Sequence, residues 1–404
     1  MERVRMAEWF SKEDYTVAWI CALAPELVAA AAMLDETYAP PAAFRQDPND
    51  SNVYSYGRIG QHKIVVASLG AGMSGKVPAS TTATNLLRSF PKIRFGLMVG
   101  IGGGIPALIV EDSTDDIRLG DVVVSMPHGE YGGVVQYDHG KIVHEGQFVY
   151  AGSLGKPPAI LLKAIQSVQK QHDMRGSSIP QLLGEILKER PRMDVKYRRP
   201  NTEDHLYQAE YEHPADAKNC SRCDARHLVQ RPARESDEPV IHYGLIGSAD
   251  RVMLHGPTRD KLRTEKNIIC LEMEAAGLMD SFPCLVIRGI SDYADSHKSD
   301  RWHGYASIVA AGYAKELLNF VPELTREPTA VELMSDMSKT LDQLPAQMMK
   351  IGQVFQPLAS PPQQAGIAFR RDGLSSKAPG SRSGAQRHGA SYSAPAGQAK
   401  RKRV

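Results

Sequence analysis

The segment 270–295, CLEMEAAGLMDSFPCLVIRGISDYAD, places acidic residues at two points in a stretch that otherwise reads as protein interior. The run CLVIRGI, like KIVVAS upstream, is short and almost uninterrupted in its apolar character, the pattern of a strand covered on both faces. IICLEMEAAGLMDSF reads as a strand end entering a helix whose small residues Ala275, Ala276 and Gly277 permit close packing. Glu272 and Glu274 then lie at the edge of a sheet, and Ser291 and Asp292 close the following strand. Two parallel strand ends would present carboxylates to one crevice, where ligands of open α/β folds collect. The alternative is that the glutamates cap a helix N-terminus, a position that favours negative charge.

The surrounding sequence keeps the same rhythm. YTVAWICAL (15–23) reads as a buried strand, PELVAAAAMLDE (25–36) as a helix opened by proline, and HKIVVASLG (62–70) as another strand. The turn GAGMSGK, a helical VPASTTATNLLRSF, the strand FGLMVGI, the turn GGGIP and the strand LGDVVVSM follow, which is the order of an α/β sheet with helices on its faces. Residues 141–185 read as mostly helical. Residues from about 186 to 239 turn charged and proline-containing, an insertion leaving a core domain that spans 14–321. AVELMSDMSKTLDQLPAQMMKIGQVF predicts a helical extension over 322–355, and the Pro-, Ser- and Gly-rich remainder, 356–404, predicts a disordered basic tail ending in KRKRV.

The near balance of charge, net +2, gives no electrostatic case for a nucleic-acid partner. MERVRMAEWF lacks the apolar core of a secretory signal, and no stretch has the uninterrupted apolar length of a membrane span, so no membrane partner is expected. The expected location is the cytoplasm, with the basic tail leaving the nucleus open. Five cysteines are an odd number, and Cys21, Cys270 and Cys284 fall in apolar segments, the ordinary setting of buried reduced thiols.

LEMEAAG followed by RGISDYAD resembles the paired signatures of the nucleoside phosphorylase and nucleosidase superfamily, which includes purine nucleoside phosphorylases and methylthioadenosine/S-adenosylhomocysteine nucleosidases. CALAPELVAA, GAGMSGKVPAS, VGIGGGIP, LGDVVVS and GSADRV agree in order. The chain is most similar to the fungal-type members. The resemblance implies a three-layer α/β/α fold around a central mixed sheet, no organic cofactor, a small-molecule nucleoside substrate and a homo-oligomer, with a dimer common in the family. It further implies that Glu274 accepts hydrogen bonds from the ribose hydroxyls over Met273, and that Asp292, oriented by Ser291, protonates the purine ring nitrogen N7. Burial beside other carboxylates would keep such an acid protonated. Gly72, Met73 and Ser74 of one glycine-rich turn and Gly102 and Gly103 of the other would line the site through main-chain groups. Ser248 and Val252 would pack on the base. Arg301, with His303 and Tyr305, would close the pocket or bind a 5′ substituent, unless that segment is only a surface loop.

Phosphorylases of this kind surround phosphate with arginines and a serine, yet Met98 and Ile101 stand where arginine and serine would be, and Glu26 lies in ALAPELVAA. A phosphate dianion facing Glu26 would be repelled. In nucleosidases the matching glutamate activates water instead. The expectation is therefore a purine nucleosidase acting on an adenosine-like substrate. A phosphate-dependent phosphorylase and a nucleoside-sensing module with little turnover, whose C-terminal tail would meet a protein partner, are the alternatives. His213, Cys220, Cys223 and His227 offer zinc-type donors, but one CxxC pair without a zinc-finger spacing for the histidines leaves no metal in the expected site.

Overall fold

Val17–Cys21 (β1) is buried along its whole length, and its alternate side chains divide two cores. Val17, Trp19 and Cys21 join one, Ala18 and Ile20 the other, as the two-residue period of a strand requires. The computed structural model describes residues 10–41, 44–107, 116–202 and 204–323. Apart from residues 322 and 323, the expected helical extension and basic tail lie outside the described residues.

After β1 come α1 (Ala24–Met33), β2 (Glu36–Tyr38), β3 (Tyr54–Ile59), β4 (His62–Ser68), α2 (Lys76–Ser89) and β5 (Phe95–Gly104). Pro25 in the first turn of α1 costs no hydrogen bond, because amides there have no intrahelical partner. β1 lies between β4 and β5, parallel to both, and β3 and β2 extend that side in antiparallel fashion. β6 (Val122–Ser125) and β7 (Val134–Gln136) follow, and then β8 (Gly140–Ile142) pairs with β9 (Phe148–Tyr150) as an antiparallel hairpin. The mostly helical reading of 141–185 is corrected here, since helix begins only with α3 (Ala159–Arg175) and α4 (Ile179–Glu189). Ile142, Val143, Phe148 and Val149 are β-formers on either side of Gly146, whose φ of 75° makes the turn.

α5 (Pro191–Tyr197) leads into a segment over 198–239 whose described residues are irregular apart from two single 3₁₀ turns. This segment is tied down by charge: Arg234 pairs with Asp121 at 2.7 Å and Arg231 with Asp116 at 3.5 Å, while Arg231 Nη1 donates to the Tyr293 hydroxyl at 2.9 Å. The chain then forms β10 (Ile241–Ser248), α6 (Gly256–Lys266), β11 (Ile268–Glu272), β12 (Cys284–Asp292) and α7 (His303–Leu318). The helix expected after Glu274 is a single 3₁₀ turn, Ala275–Gly277, because Pro283 and β12 follow within a few residues.

The strands form one mixed sheet in the order β11, β10, β6, β12, β5, β1, β4, β3, β2, with β7 beside β10. β11 also pairs with β5, so the first five strands of that order close into a ring. α1, α3, α4 and α7 share the core on one face, and α2 with Ala275–Phe282 shares the core on the other. The three-layer α/β/α arrangement around a mixed sheet is therefore present. Two parallel strand ends do not bring the carboxylates together, however: β12 runs parallel to β5 and β11 antiparallel to it. Both ends converge because Leu271 and Asp292 each stand opposite Gly103 in their pairing with β5. No helix among the described residues is long and apolar enough to cross a membrane.

Candidate active site

At the mouth of the strand ring, a cavity of about 260 Å³ is lined by Glu26 from α1, Gly102 and Gly103 from β5, Glu272 at the end of β11 with Met273 and Glu274 after it, and Ser291 and Asp292 from β12. Ser74 and Val252 also reach it. Gly72, Met73, Ser248 and Arg301 are not among its lining residues. Ser248 is buried behind the cavity, where its hydroxyl accepts the Ala276 amide at 3.0 Å.

Glu26 serves two purposes. In the first turn of α1 it caps amides that have no helical partner: Oε2 accepts Ala22 N–H at 2.7 Å and Leu23 N–H at 2.9 Å. Oε1 accepts Ile101 N–H from β5 at 2.8 Å. Burial pushes Glu26 above the ordinary glutamate value, against the pull of Arg288 and of these three amides. Gly100 is what lets the carboxylate sit so close to β5, because a Cβ there would come within 2.5 Å of Arg288 Nη1 and press on Glu26 itself.

Glu274 is bonded directly to a glycine-rich turn. Its Oε1 accepts the amide of Gly75, at 3.1 Å, a residue held at φ 95° that a side chain would strain. Its Oε2 is 3.3 Å from Arg288 Nη2. Burial, together with the negative charges of Glu272 and Glu26 and in opposition to Arg288, pushes Glu274 up to about 7. Glu272 is tied up in structural bonds. It accepts the amides of Glu274 and Ala275, each at 3.0 Å, and ion-pairs with Arg288.

Arg288 is the residue that the sequence reading passed over. It is 1% exposed, in the middle of β12, and its guanidinium neutralises part of a cluster of three glutamates. A charged side chain within CLVIRGI was the available signal, since an arginine is almost never fully buried without a partner. Lys298 was missed as well. Its Nζ lies 2.6 Å from Asp292 Oδ2, which also accepts the Ser291 hydroxyl at 2.9 Å, while Asp292 Oδ1 accepts Ala294 N–H at 2.9 Å. The neighbour of Asp292 is thus a cation and a hydroxyl, where the sequence reading placed other carboxylates. Arg251, Tyr137 and His303 complete the wall. The Tyr137 hydroxyl is buried and has no hydrogen-bond partner among the described residues.

Residues 16–321 match the family described as the phosphorylase superfamily. The chain is 41% identical over 316 residues to a nucleotide-binding leucine-rich repeat (NLR)-like protein of the fungus Hyaloscypha variabilis, an alignment covering 78% of this chain and 30% of that protein. Over 78 residues it is 33% identical to the ATP nucleosidase Cap17 of Escherichia coli, covering 18% of this chain and 15% of the relative. The chain thus spans well under half the length of these curated relatives. Among solved structures, a 5′-methylthioadenosine/S-adenosylhomocysteine nucleosidase from Neisseria meningitidis in complex with methylthio-immucillin-A is similar with a TM-score of 0.47 and 17% identity, covering 75% of this chain and 98% of that one.

Proposed function

The chain belongs to the phosphorylase superfamily, and from that premise we propose that it hydrolyses the N-glycosidic bond of a purine nucleoside, releasing free base and free sugar. The observation that supports this reading is that Glu26, Glu274 and Asp292, the last paired with Lys298, all line a single cavity. Breaking the bond develops positive charge on the sugar and negative charge on the base, so a catalyst needs carboxylates near the first and a proton donor near the second.

In this mechanism Glu274 accepts the ribose hydroxyls, and Met273 supports the sugar by apolar contact. Glu26 takes a proton from water as its oxygen bonds to the anomeric carbon. Its raised affinity for protons suits a base working near neutral pH. The electron pair of the broken C–N bond goes to the purine, and Asp292 delivers a proton to N7. Lys298, hydrogen-bonded to the same carboxylate oxygen, is the source of that proton, and the proton that Glu26 took from water returns through solvent to restore the lysine, which closes the cycle. Hydrolysis is favoured over phosphorolysis by the environment of Glu26: its neighbouring cation, Arg288, already pairs with Glu272 and Glu274, and Ile101 lines the cavity where a phosphate-binding serine was looked for.

A second reading takes a nucleotide in place of a nucleoside. Arg251 and Lys298 among the lining residues, and similarity to a protein named as an ATP nucleosidase, support it. The test is base release from a panel of purine nucleosides and nucleotides, with and without phosphate, separating free sugar from sugar 1-phosphate. Free sugar formed without phosphate is expected. Sugar 1-phosphate formed only with phosphate would make the protein a phosphorylase, and binding without release would make it a sensing module.

A further inference from the structure

The irregular segment 198–239 holds a second cluster of chemistry-bearing side chains. His213, Cys220 and Cys223 bring one imidazole nitrogen and two sulfurs within 4.8 Å of one another. The two cysteines are fixed by a 3₁₀ turn, Cys220–Arg222, in which Cys223 N–H donates to Cys220 C=O at 3.0 Å, so both thiols leave the same side of one tight loop. Asn219 caps that turn by accepting the Ser221 amide at 3.0 Å. His213 Nδ1 lies 3.0 Å from the carbonyl of Pro214, and a carbonyl can only accept, so Nδ1 carries the proton. That leaves the lone pair on Nε2, the tautomer a metal requires, set by the kind of outer hydrogen bond that orients metal-bound histidines.

An independent observation comes from the loop after β12. The His297 side chain is 6% exposed, and neither ring nitrogen has a hydrogen-bond partner among the described residues, although Nδ1 is 3.5 Å from Asp295 Oδ1. Its ring lies 5.6 Å from the His213 ring and is stacked on Tyr207 at 4.1 Å. A buried imidazole whose nearest polar neighbour is a carboxylate 3.5 Å away, with no hydrogen bond made by either nitrogen, is expensive unless something binds it. His227, the other histidine of this stretch, takes no part. It is stacked on Tyr211 at 4.2 Å, and its Nδ1 lies 3.1 Å from Gln208 Oε1.

We propose that His213, Cys220 and Cys223, whose donor atoms already lie together, bind one zinc ion, that His297, whose ring is 5.6 Å from that of His213, turns in as the fourth ligand, and that this ion fastens the inserted segment to the loop that carries Lys298. The donor set is of the Cys₂His₂ type that forms closed, tetrahedral structural sites. Binding converts both thiols to thiolates and releases their protons to solvent. The ion joins the two segments where the His213 amide already donates to Ser296 Oγ at 2.9 Å, one residue before His297 and two before the lysine that pairs with Asp292. Its role is structural: it holds the wall of the cavity and touches no reacting atom.

The test uses the full chain, purified without a metal-affinity tag, stripped with chelator and then reloaded with zinc or cobalt. Zinc is expected at one equivalent per chain. Cobalt is expected to give the intense visible bands of a tetrahedral site, with thiolate charge transfer in the near ultraviolet. Both signals are lost in the Cys220→Ser/Cys223→Ser double variant and kept in Glu274→Gln, which separates this proposal from the one about the active site. His297→Ala should weaken zinc by more than the roughly 10–100-fold that loss of an outer hydrogen bond costs. The cobalt spectrum of the parent protein needs no variant to fold. Less than about a tenth of an equivalent of zinc after dialysis, no thiolate band, or two cysteines recovered as a disulfide would each overturn the proposal.

Discussion

Replacing Arg288 by methionine tests the electrostatic account of the site most directly. The guanidinium is 1% exposed and stands among Glu26, Glu272 and Glu274, so the substitution leaves three buried carboxylates without their cation. Removing one partner of a buried ion pair destabilises by roughly 3–5 kcal/mol. With about 2 °C per kcal/mol for a large domain, the melting temperature should fall by about 6–10 °C. The loss should depend on pH, in a direction opposite to that of an ordinary surface carboxylate. Glu274 titrates in the folded protein at about 7, where the usual value is 4.5, so between these values the folded state holds a proton that the unfolded chain has released. Stability from this group is therefore complete below 4.5 and disappears as pH rises through 7. Arg288 is the cation that pulls the value down, so without it the window widens upward. Chemical or thermal unfolding of parent and variant from pH 5 to 8 should show a small deficit at the acidic end and the full deficit at the basic end. A deficit under about 1 kcal/mol at pH 8, or one that does not change with pH, would refute the reasoning.

Other substitutions separate the roles around the cavity. Glu26→Gln should lower turnover by about 10²–10⁴-fold while leaving substrate binding largely intact, and in the parent the acidic limb of kcat/KM should lie above the ordinary glutamate value, as its raised position requires; equal turnover by the variant would remove Glu26 as the base. Asp292→Asn should abolish base release without loss of fold, and Lys298→Met should slow release while KM changes less; a Lys298 variant with normal rates would show that Asp292 acts alone. Tyr137→Phe should leave unfolding unchanged, since its hydroxyl has no partner to lose among the described residues, and should raise KM if substrate supplies one; calorimetry and steady-state kinetics on one preparation decide it.

Much of this was legible in the sequence because the informative residues are local. Buried strands announce themselves as apolar runs, and Glu26, Glu274, Ser291 and Asp292 all fall at the ends of such runs or in the first turn of the helix that follows one. What the sequence concealed is non-local. Lys298 reaches Asp292 from a loop with no periodicity, and the convergence of β11 and β12 depends on ring closure, which no strand pattern encodes. Arg288 was visible as a lone charge in an apolar strand, but its meaning depends on three glutamates that come from two other segments of the chain. Ser248 read as a substrate contact; its hydroxyl accepts the Ala276 amide, a bond that exists only once the turn after Glu274 has formed.

Closure of the strands into a ring also bears on how the site can vary. A sheet edge can fray, and residues on it exchange their amide hydrogens through local opening, whereas β11, held by β10 on one side and β5 on the other, has no free edge to peel. The amides of Cys270 and Leu271, which have a partner strand on each side, should exchange more slowly than those of the edge strand β2. A scaffold so constrained tolerates little drift in its carboxylates, so changes in the accepted base or 5′ group would accumulate in the loops at residues 251–253 and 293–303, which bound the same cavity without belonging to the ring.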